Sequence, residues 1–258
     1  MYSYLIGENI NSSKDIYVEN LINNLAIIGE PGSGKSIMLL NLLKQNINNG
    51  GGVIYIDQKG DLTNYKEFII YSKKANRKQD ILTFDFNNIS STIDFNILFD
   101  AIINNKLIYI TIPCLKISVV KCEEIINYII DKIKEVLSKL FEENVKIKNS
   151  LPFLLIFDEA SSYINKISEI LSKSRGLNIA NVVSLQEIPN ILEDFDKVFD
   201  NITTKIILRT NSLCNLNKIK EFVGAEENIE ELIKFLNYAK CGEGIILSNS
   251  LTKIKINY

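Results

Sequence analysis

The sequence contains no histidine. That absence removes imidazole general bases, histidine metal ligands and Ser-His-Asp triads together. Chemistry must come from carboxylates, lysines, hydroxyls, amides and, where a metal takes part, a hard cation held by oxygen. Arginine is scarce as well, standing only at Arg77, Arg175 and Arg209 among abundant Asn, Ile and Lys. Such a bias is what coding composition produces, and it makes each arginine worth weighing. No run of about eighteen apolar residues occurs, and the opening MYSYLIGENINSSKD lacks a basic stretch followed by an apolar core. Neither a membrane span nor a signal peptide is visible, so the expected address is cytoplasmic. The four cysteines, Cys114, Cys122, Cys214 and Cys241, show no C-x-x-C pairing. They are expected as small buried residues in a reducing compartment, not as disulfides or a zinc site. Formal net charge is -2 and the pI about 5.5. A broad basic face for static nucleic-acid binding is thereby excluded, and any such contact must be local.

What is present suffices for a full core: 258 residues, 46% hydrophobic and 23% charged, enough for one domain over 1–258, or one with a small appendage. Short apolar runs mark strands near 25–28, 52–56, 81–84, 107–112, 153–157, 179–184 and 205–208. Most are continuously apolar, as strands buried on both faces should be. Helical patterns lie between them. The clearest is 119–141, where Ile126, Ile129, Ile130, Ile133, Leu137, Leu140 and Phe141 recur at steps of three and four. This alternation predicts an α/β fold with a parallel, doubly wound sheet. Residues 1–24 read as a lead-in, and the apolar alternations of GEGIILSNSLTKIKI predict a closing β-hairpin over 242–257.

The sharpest motif is IIGEPGSGKS, residues 27–36. Gly29, Glu30, Pro31, Gly32, Ser33, Gly34, Lys35 and Ser36 fill G-x-x-x-x-G-K-[ST], with a strand before and a helical pattern after. Glycines turn backbone amides inward around phosphate oxygens, and the helix adds its positive N-terminal end. Lys35 is expected on the β- and γ-phosphates and the Ser36 hydroxyl on Mg²⁺. A second acidic element, LPFLLIFDEAS at 151–161, ends an apolar strand in Asp158 and Glu159. Asp158 would hold the magnesium through its water shell; Glu159 would orient and deprotonate the water that attacks the γ-phosphate. That pair points to hydrolysis. A GTPase is the nearest rival, because DQKG at 57–60 fits D-x-x-G, but no N-K-x-D element occurs, and ATP is the expected nucleotide.

Taken in order, YLIGEN, LAIIGEPGSGKS, VIYIDQKGDL, DFNILFDAI, LIYITIP, LLIFDEAS, SRGLNIANVVSLQ, TTKIILRTN and EGIILS resemble the type IV secretion coupling proteins of the TraD/TraG kind, within the FtsK/HerA superfamily of hexameric DNA-pumping ATPases. The resemblance spans nearly the whole chain. It implies a RecA-like P-loop NTPase fold, a homohexameric ring and Mg-ATP hydrolysis driving DNA through a pore, with relaxase or secretion-channel components as further partners. By similarity Arg175 is an arginine finger and Gln186 a glutamine sensor, with Arg209, also at a strand end, as the alternative finger. The family's membrane-anchoring helices and all-α domain have no counterpart in these residues, so the resemblance implies a minimal core, attached to the membrane periphery only through partners. A viral genome-packaging or helicase-loader ATPase shares the same chemistry, and a nucleotide-dependent scaffold with little turnover is the reading from another class. For DNA, Lys59 and the cluster Lys73, Lys74, Arg77 and Lys78 are candidate phosphate contacts, the cluster reading equally as a solvated helix end.

Overall fold

The computed structural model describes residues 2–19, 21–60, 62–87, 92–145, 147, 151–188, 195–223, 228–248 and 250–256. Its strands are β1 (Ser3–Asn9), β2 (Asp15–Glu19), β3 (Leu25–Ile28), β4 (Val53–Asp57), β5 (Ile81–Asp85), β6 (Leu107–Thr111), β7 (Phe153–Asp158), β8 (Ile179–Leu185), β9 (Thr204–Leu208), β10 (Glu243–Leu247) and β11 (Leu251–Lys255). The helices are α1 (Lys35–Asn48), α2 (Leu62–Lys74), α3 (Phe95–Ile103), α4 (Val119–Glu142), α5 (Ser168–Lys173), α6 (Phe195–Asp200), α7 (Leu213–Val223) and α8 (Ile229–Tyr238). All seven expected parallel strands are present, and the expected hairpin appears as β10 and β11. Asn249 and Asn257 of that hairpin segment lie outside the described residues.

One sheet runs β2-β1-β11-β10-β9-β3-β8-β7-β4-β6-β5. From β9 to β5 every pairing is parallel, while β10, β11, β1 and β2 extend it antiparallel. The N-terminal lead-in supplies β1 and β2 to the sheet: YSYLIGENI alternates weakly, but its Tyr4 and Ile6 are buried and β1 pairs with β11 and β2. The central strands β3, β4, β7 and β8 are buried along their whole length, which explains their unbroken apolar runs. Packing then divides into two cores. Leu39 and Leu42 of α1 and Phe68 of α2 cover one face; the apolar stripe of α4, from Cys122 to Leu140, covers the other.

Asparagine has a structural use here. Asn24, Asn76, Asn105, Asn144 and Asn178 adopt left-handed backbone conformations, which their short polar side chains tolerate better than most. Asn24 also anchors a buried network, donating to the Leu171 and Asn201 carbonyls and accepting from the Asn181 amide.

Cysteine departs from expectation. Cys114 and Cys122 form a disulfide with Cα atoms 5.3 Å apart, while Cys241 is an exposed thiol. The tight turn at Pro113, closed by the Lys116 amide on the Pro113 carbonyl at 2.8 Å, folds the β6–α4 connection back upon the first turn of α4. Spacing rules built on C-x-x-C carry no signal for such a contact.

The hairpin also supports the loop ahead of α1. The Gly242 amide donates to the Ser33 carbonyl at 2.9 Å. At Gly244 a Cβ would stand 2.2 Å from the Ile207 carbonyl oxygen and 2.8 Å from the Leu208 Cα. Gly244→Ala must therefore push β10 away from β9, and a stability loss of about 1–3 kcal/mol, typical of overpacking, is expected. Thermal unfolding checks this, with Gly176→Ala, which meets nothing within 4 Å, as the unaffected control.

Candidate nucleotide site

Parallel strands place their C-terminal ends along one edge, and there the sequence motifs meet. The loop 29–34 leaves β3 and enters α1; Gly34 sits at φ +108 with its Cα side pressed against Gly242, a position closed to any side chain. The loop continues the sheet ladder, the Gly29 amide donating to Leu185 and the Glu30 amide to Arg209. Lys35 lies 4% exposed, and its ammonium donates to the Gly29 carbonyl at 2.5 Å and the Glu30 carbonyl at 3.1 Å. Burial lowers its pKa, opposed by Glu159, reinforced by Lys59, and opposed again by Asp158 and Glu30. The ammonium thus lies within the field of both acidic residues.

Order within the sheet explains the rest. β8 runs between β3 and β7, so the ends of β3 and β7 are two strand spacings apart, roughly 10 Å. Gln186 follows β8 in the gap between them. Its backbone is fixed, the amide donating to Ser161 Oγ at 3.3 Å and the carbonyl accepting from Asn215 Nδ2 at 3.1 Å. Beyond β7 the chain turns sharply: Glu159 adopts φ 58, ψ 44, an uncommon conformation for this residue type that the surrounding packing must impose.

The two strand-end aspartates are direct register partners, Asp57 beside Asp158, and both are fully buried. Asp158 accepts from Ser184 Oγ at 2.7 Å and the Tyr55 hydroxyl at 3.2 Å. Burial raises its pKa, with the Ser184 hydrogen bond and Lys59 pulling it back. Asp57 accepts from the Tyr109 hydroxyl at 2.8 Å and from the Lys59 and Gly60 amides at 2.9 and 3.0 Å. Tyr55 and Tyr109 stack with ring centroids 5.0 Å apart, so the two carboxylates hang from one aromatic floor.

This aromatic support was not anticipated from the sequence. Lys59, one of the candidate DNA-phosphate contacts, forms an ion pair with Glu159. Burial works against its charge, but the Glu159 hydrogen bond and the nearby carboxylates leave its pKa above the ordinary lysine value. The signal was available in DQKG: a lysine two residues past a strand-end aspartate must project over the same sheet edge. Arg77 is likewise no free DNA contact. It bonds Asp80 at 2.8 Å, the Gly51 carbonyl at 2.5 Å and the Asn105 carbonyl, while Lys73, Lys74 and Lys78 are exposed at the end of α2 and just beyond it.

The two arginines offered as fingers fall on opposite edges. Arg175, in the turn before β8, is exposed and bonds Asn23, just before β3, through Nε at 2.8 Å. That is the N-terminal edge of the parallel strands, away from Lys35. Arg209, after β9, lies against the phosphate loop, its Nη2 3.4 Å from the Gly32 carbonyl.

Two cavities open at the C-terminal edge. One of about 240 Å³ is lined by Pro31, Gly32, Gly34, Lys35, Ser36, Ile37, Lys59 and Cys241; another of about 590 Å³ includes Gln58, Lys59, Leu115, Glu159, Ser161 and Gln186. Ser33 Oγ, in the same loop, is buried with no hydrogen-bond partner among the described residues. A glycine-rich loop opening a helix, a buried ammonium and an unsatisfied hydroxyl suit a phosphate chain. The oxygen donors Ser36 and Asp158 suit Mg²⁺, which takes few protein ligands when phosphates supply the others.

A family model described as "Helicase HerA, central domain" matches residues 4–207. No curated protein matches the sequence. Among solved structures, VirB4 of Thermoanaerobacter pseudethanolicus is similar with a TM-score of 0.70 at 14% identity, covering 99% of this chain and 96% of that one. The genome packaging NTPase B204 from Sulfolobus turreted icosahedral virus 2, solved with ATP-gammaS, gives a TM-score of 0.57 at 16% identity, covering 93% and 100%. The pCW3 conjugation coupling protein TcpA, with ATPgS, gives 0.57 at 14% identity, covering 99% and 66%.

Proposed function

The chain belongs to the helicase HerA central-domain family, and on that premise we propose that this P-loop ATPase is a motor that couples Mg-ATP hydrolysis to DNA movement through a ring of identical subunits. The observation that carries the reading is the placement of Lys35, at the start of α1 after β3, and of Asp158 and Glu159, at the end of β7, along the same C-terminal edge of the parallel sheet. In this mechanism the 29–36 loop cradles the phosphates and Lys35 leaves its two carbonyls for the β- and γ-phosphates. Ser36 and Asp158 are the residues that would hold Mg²⁺, which when bound would supply positive charge to the phosphate oxygens. Glu159 orients the attacking water and takes its proton. Gln186, between the two strand ends, reports the state of the γ-phosphate to the loops that follow it.

Arg175 stands at the far strand ends in its own chain, so as a finger it acts on a neighbour's site and turnover depends on assembly. Arg175→Ala should bind ATP normally yet hydrolyse about 10³-fold more slowly, the scale of known fingers. Steady-state turnover at high protein concentration reads this directly; a parent-like rate would shift the assignment to Arg209. No helix among the described residues is long and apolar enough to cross a membrane. With a net charge of -2, DNA contact relies on a few lysines repeated around a pore.

Phosphate release by concentrated protein, with and without DNA, tests the motor: DNA should stimulate turnover. Turnover indifferent to every DNA form would refute DNA coupling, and no turnover at all would leave an assembly scaffold. A genome-packaging role is the second reading, favoured by the match over the full length of the packaging NTPase B204; neighbouring capsid rather than relaxase genes would select it.

A further inference from the structure

Among the described residues, Lys59 alone lines both of two neighbouring cavities, the phosphate cradle beside Gly34 and Lys35 and the chamber beside Glu159 and Gln186. Its position is fixed from below. Asp57 accepts both the Lys59 and the Gly60 amides and is itself held by the Tyr109 hydroxyl, so the turn is rigid while the four-carbon stem above it is free to swing. The ammonium rests on the Glu159 carboxylate. The Glu159 side chain is only 11% exposed, that of Lys59 36%, so water competes poorly for the glutamate.

We propose that Lys59 is a γ-phosphate-operated clasp: it holds Glu159 while the cradle is empty and transfers to the γ-phosphate when a triphosphate enters, leaving the glutamate free for its water. The inference rests on the nucleotide reading above and adds to it a residue that discriminates ATP from ADP. A phosphate terminus carries more negative charge than one carboxylate and offers several acceptor oxygens, so it outcompetes Glu159 for a shared ammonium. ADP places no phosphate at that point, and the clasp stays shut. The pair therefore keeps the base occupied whenever the substrate's reacting group is missing. Lysine suits the task better than arginine, because a compact ammonium on a flexible stem can serve two acceptors in turn.

The test is titration of fluorescently labelled ATPγS and ADP against the full chain and four variants, scored as the ratio of the two affinities. Lys59→Met should weaken ATPγS roughly tenfold, the scale of one charge-assisted hydrogen bond, and leave ADP within about twofold. Lys59→Arg, which keeps the charge, should restore most of the ratio. Glu159→Gln removes the competing carboxylate, so ATPγS should tighten several-fold, and the tightening should vanish in Lys59→Met/Glu159→Gln. A structural role for Lys59 would change both nucleotides alike. An unchanged ATPγS-to-ADP ratio in Lys59→Met, or equal tightening by Glu159→Gln with and without Lys59, overturns the clasp while leaving the site intact. Failure of the parent chain to bind either nucleotide overturns the site and the clasp together.

Discussion

Glu159→Gln is expected to bind ATP and to lose turnover by about 10²–10⁴-fold, the usual worth of a positioned general base. The substitution keeps the shape of the side chain and its place at the strand tip, so the left-handed turn at φ 58 and the Ser184 hydroxyl beside its amide at 3.5 Å remain. What goes is the capacity to accept a proton. An amide cannot take the proton of the attacking water at neutral pH, and no histidine exists anywhere in the chain to replace it. Asp158 is no substitute, because it is given to the magnesium and its hydrogen bonds from Ser184 and Tyr55 hold it in the charged, metal-facing role rather than over the attacking water. Single-turnover phosphate release, alongside an ATP titration showing retained binding, checks the expectation. Turnover at the parent rate would remove Glu159 from the mechanism.

Lys35→Ala should abolish useful nucleotide affinity. Two charge-assisted contacts to the β- and γ-phosphates are worth about 1.5–3 kcal/mol each, so a loss of roughly 10²–10⁴ in affinity is expected for ATP, and of about 10–10² for ADP, which keeps only the β-phosphate contact. The variant also strips the Gly29 and Glu30 carbonyls of their ammonium partner. A modest loss of stability, about 1–3 kcal/mol for unsatisfied buried groups, therefore accompanies the loss of binding, and calorimetric titration on protein whose folding is verified by circular dichroism separates the two. Loss of both nucleotides distinguishes Lys35 from Lys59, whose removal touches only the triphosphate.

Much of the architecture was legible because burial on both faces writes itself as continuous apolar runs. LAII, VIYI and FLLIF read as interior strands, and the glycines and lysine of 29–36 sit where strand becomes helix. The first hairpin was not legible: YSYLIGENI mixes polar and apolar residues at a sheet end, and its partner β11 lies at the other end of the chain, a pairing no local pattern carries. At the candidate site, Lys35, Asp158 and Glu159 could be singled out because their motifs are local. Tyr55, Tyr109 and Asp57 meet Asp158 only through the order of strands β6, β4 and β7, and the pairing of Lys59 with Glu159 depends on the same order although its place over the sheet edge is local. The Cys114–Cys122 disulfide escaped for the same reason, since a proline turn rather than a motif brings the two residues together. For Arg175, spacing gave a resemblance; the fold adds that it faces away from its own phosphate loop.

The most direct measurement of the central claim is a structure of the protein with ATPγS and Mg²⁺. The account predicts the terminal phosphate between the Lys35 ammonium and the end of β7, with Lys59 turned from Glu159 toward it. A nucleotide bound elsewhere, or one seated in the loop with its terminal phosphate directed away from Asp158 and Glu159, would contradict it.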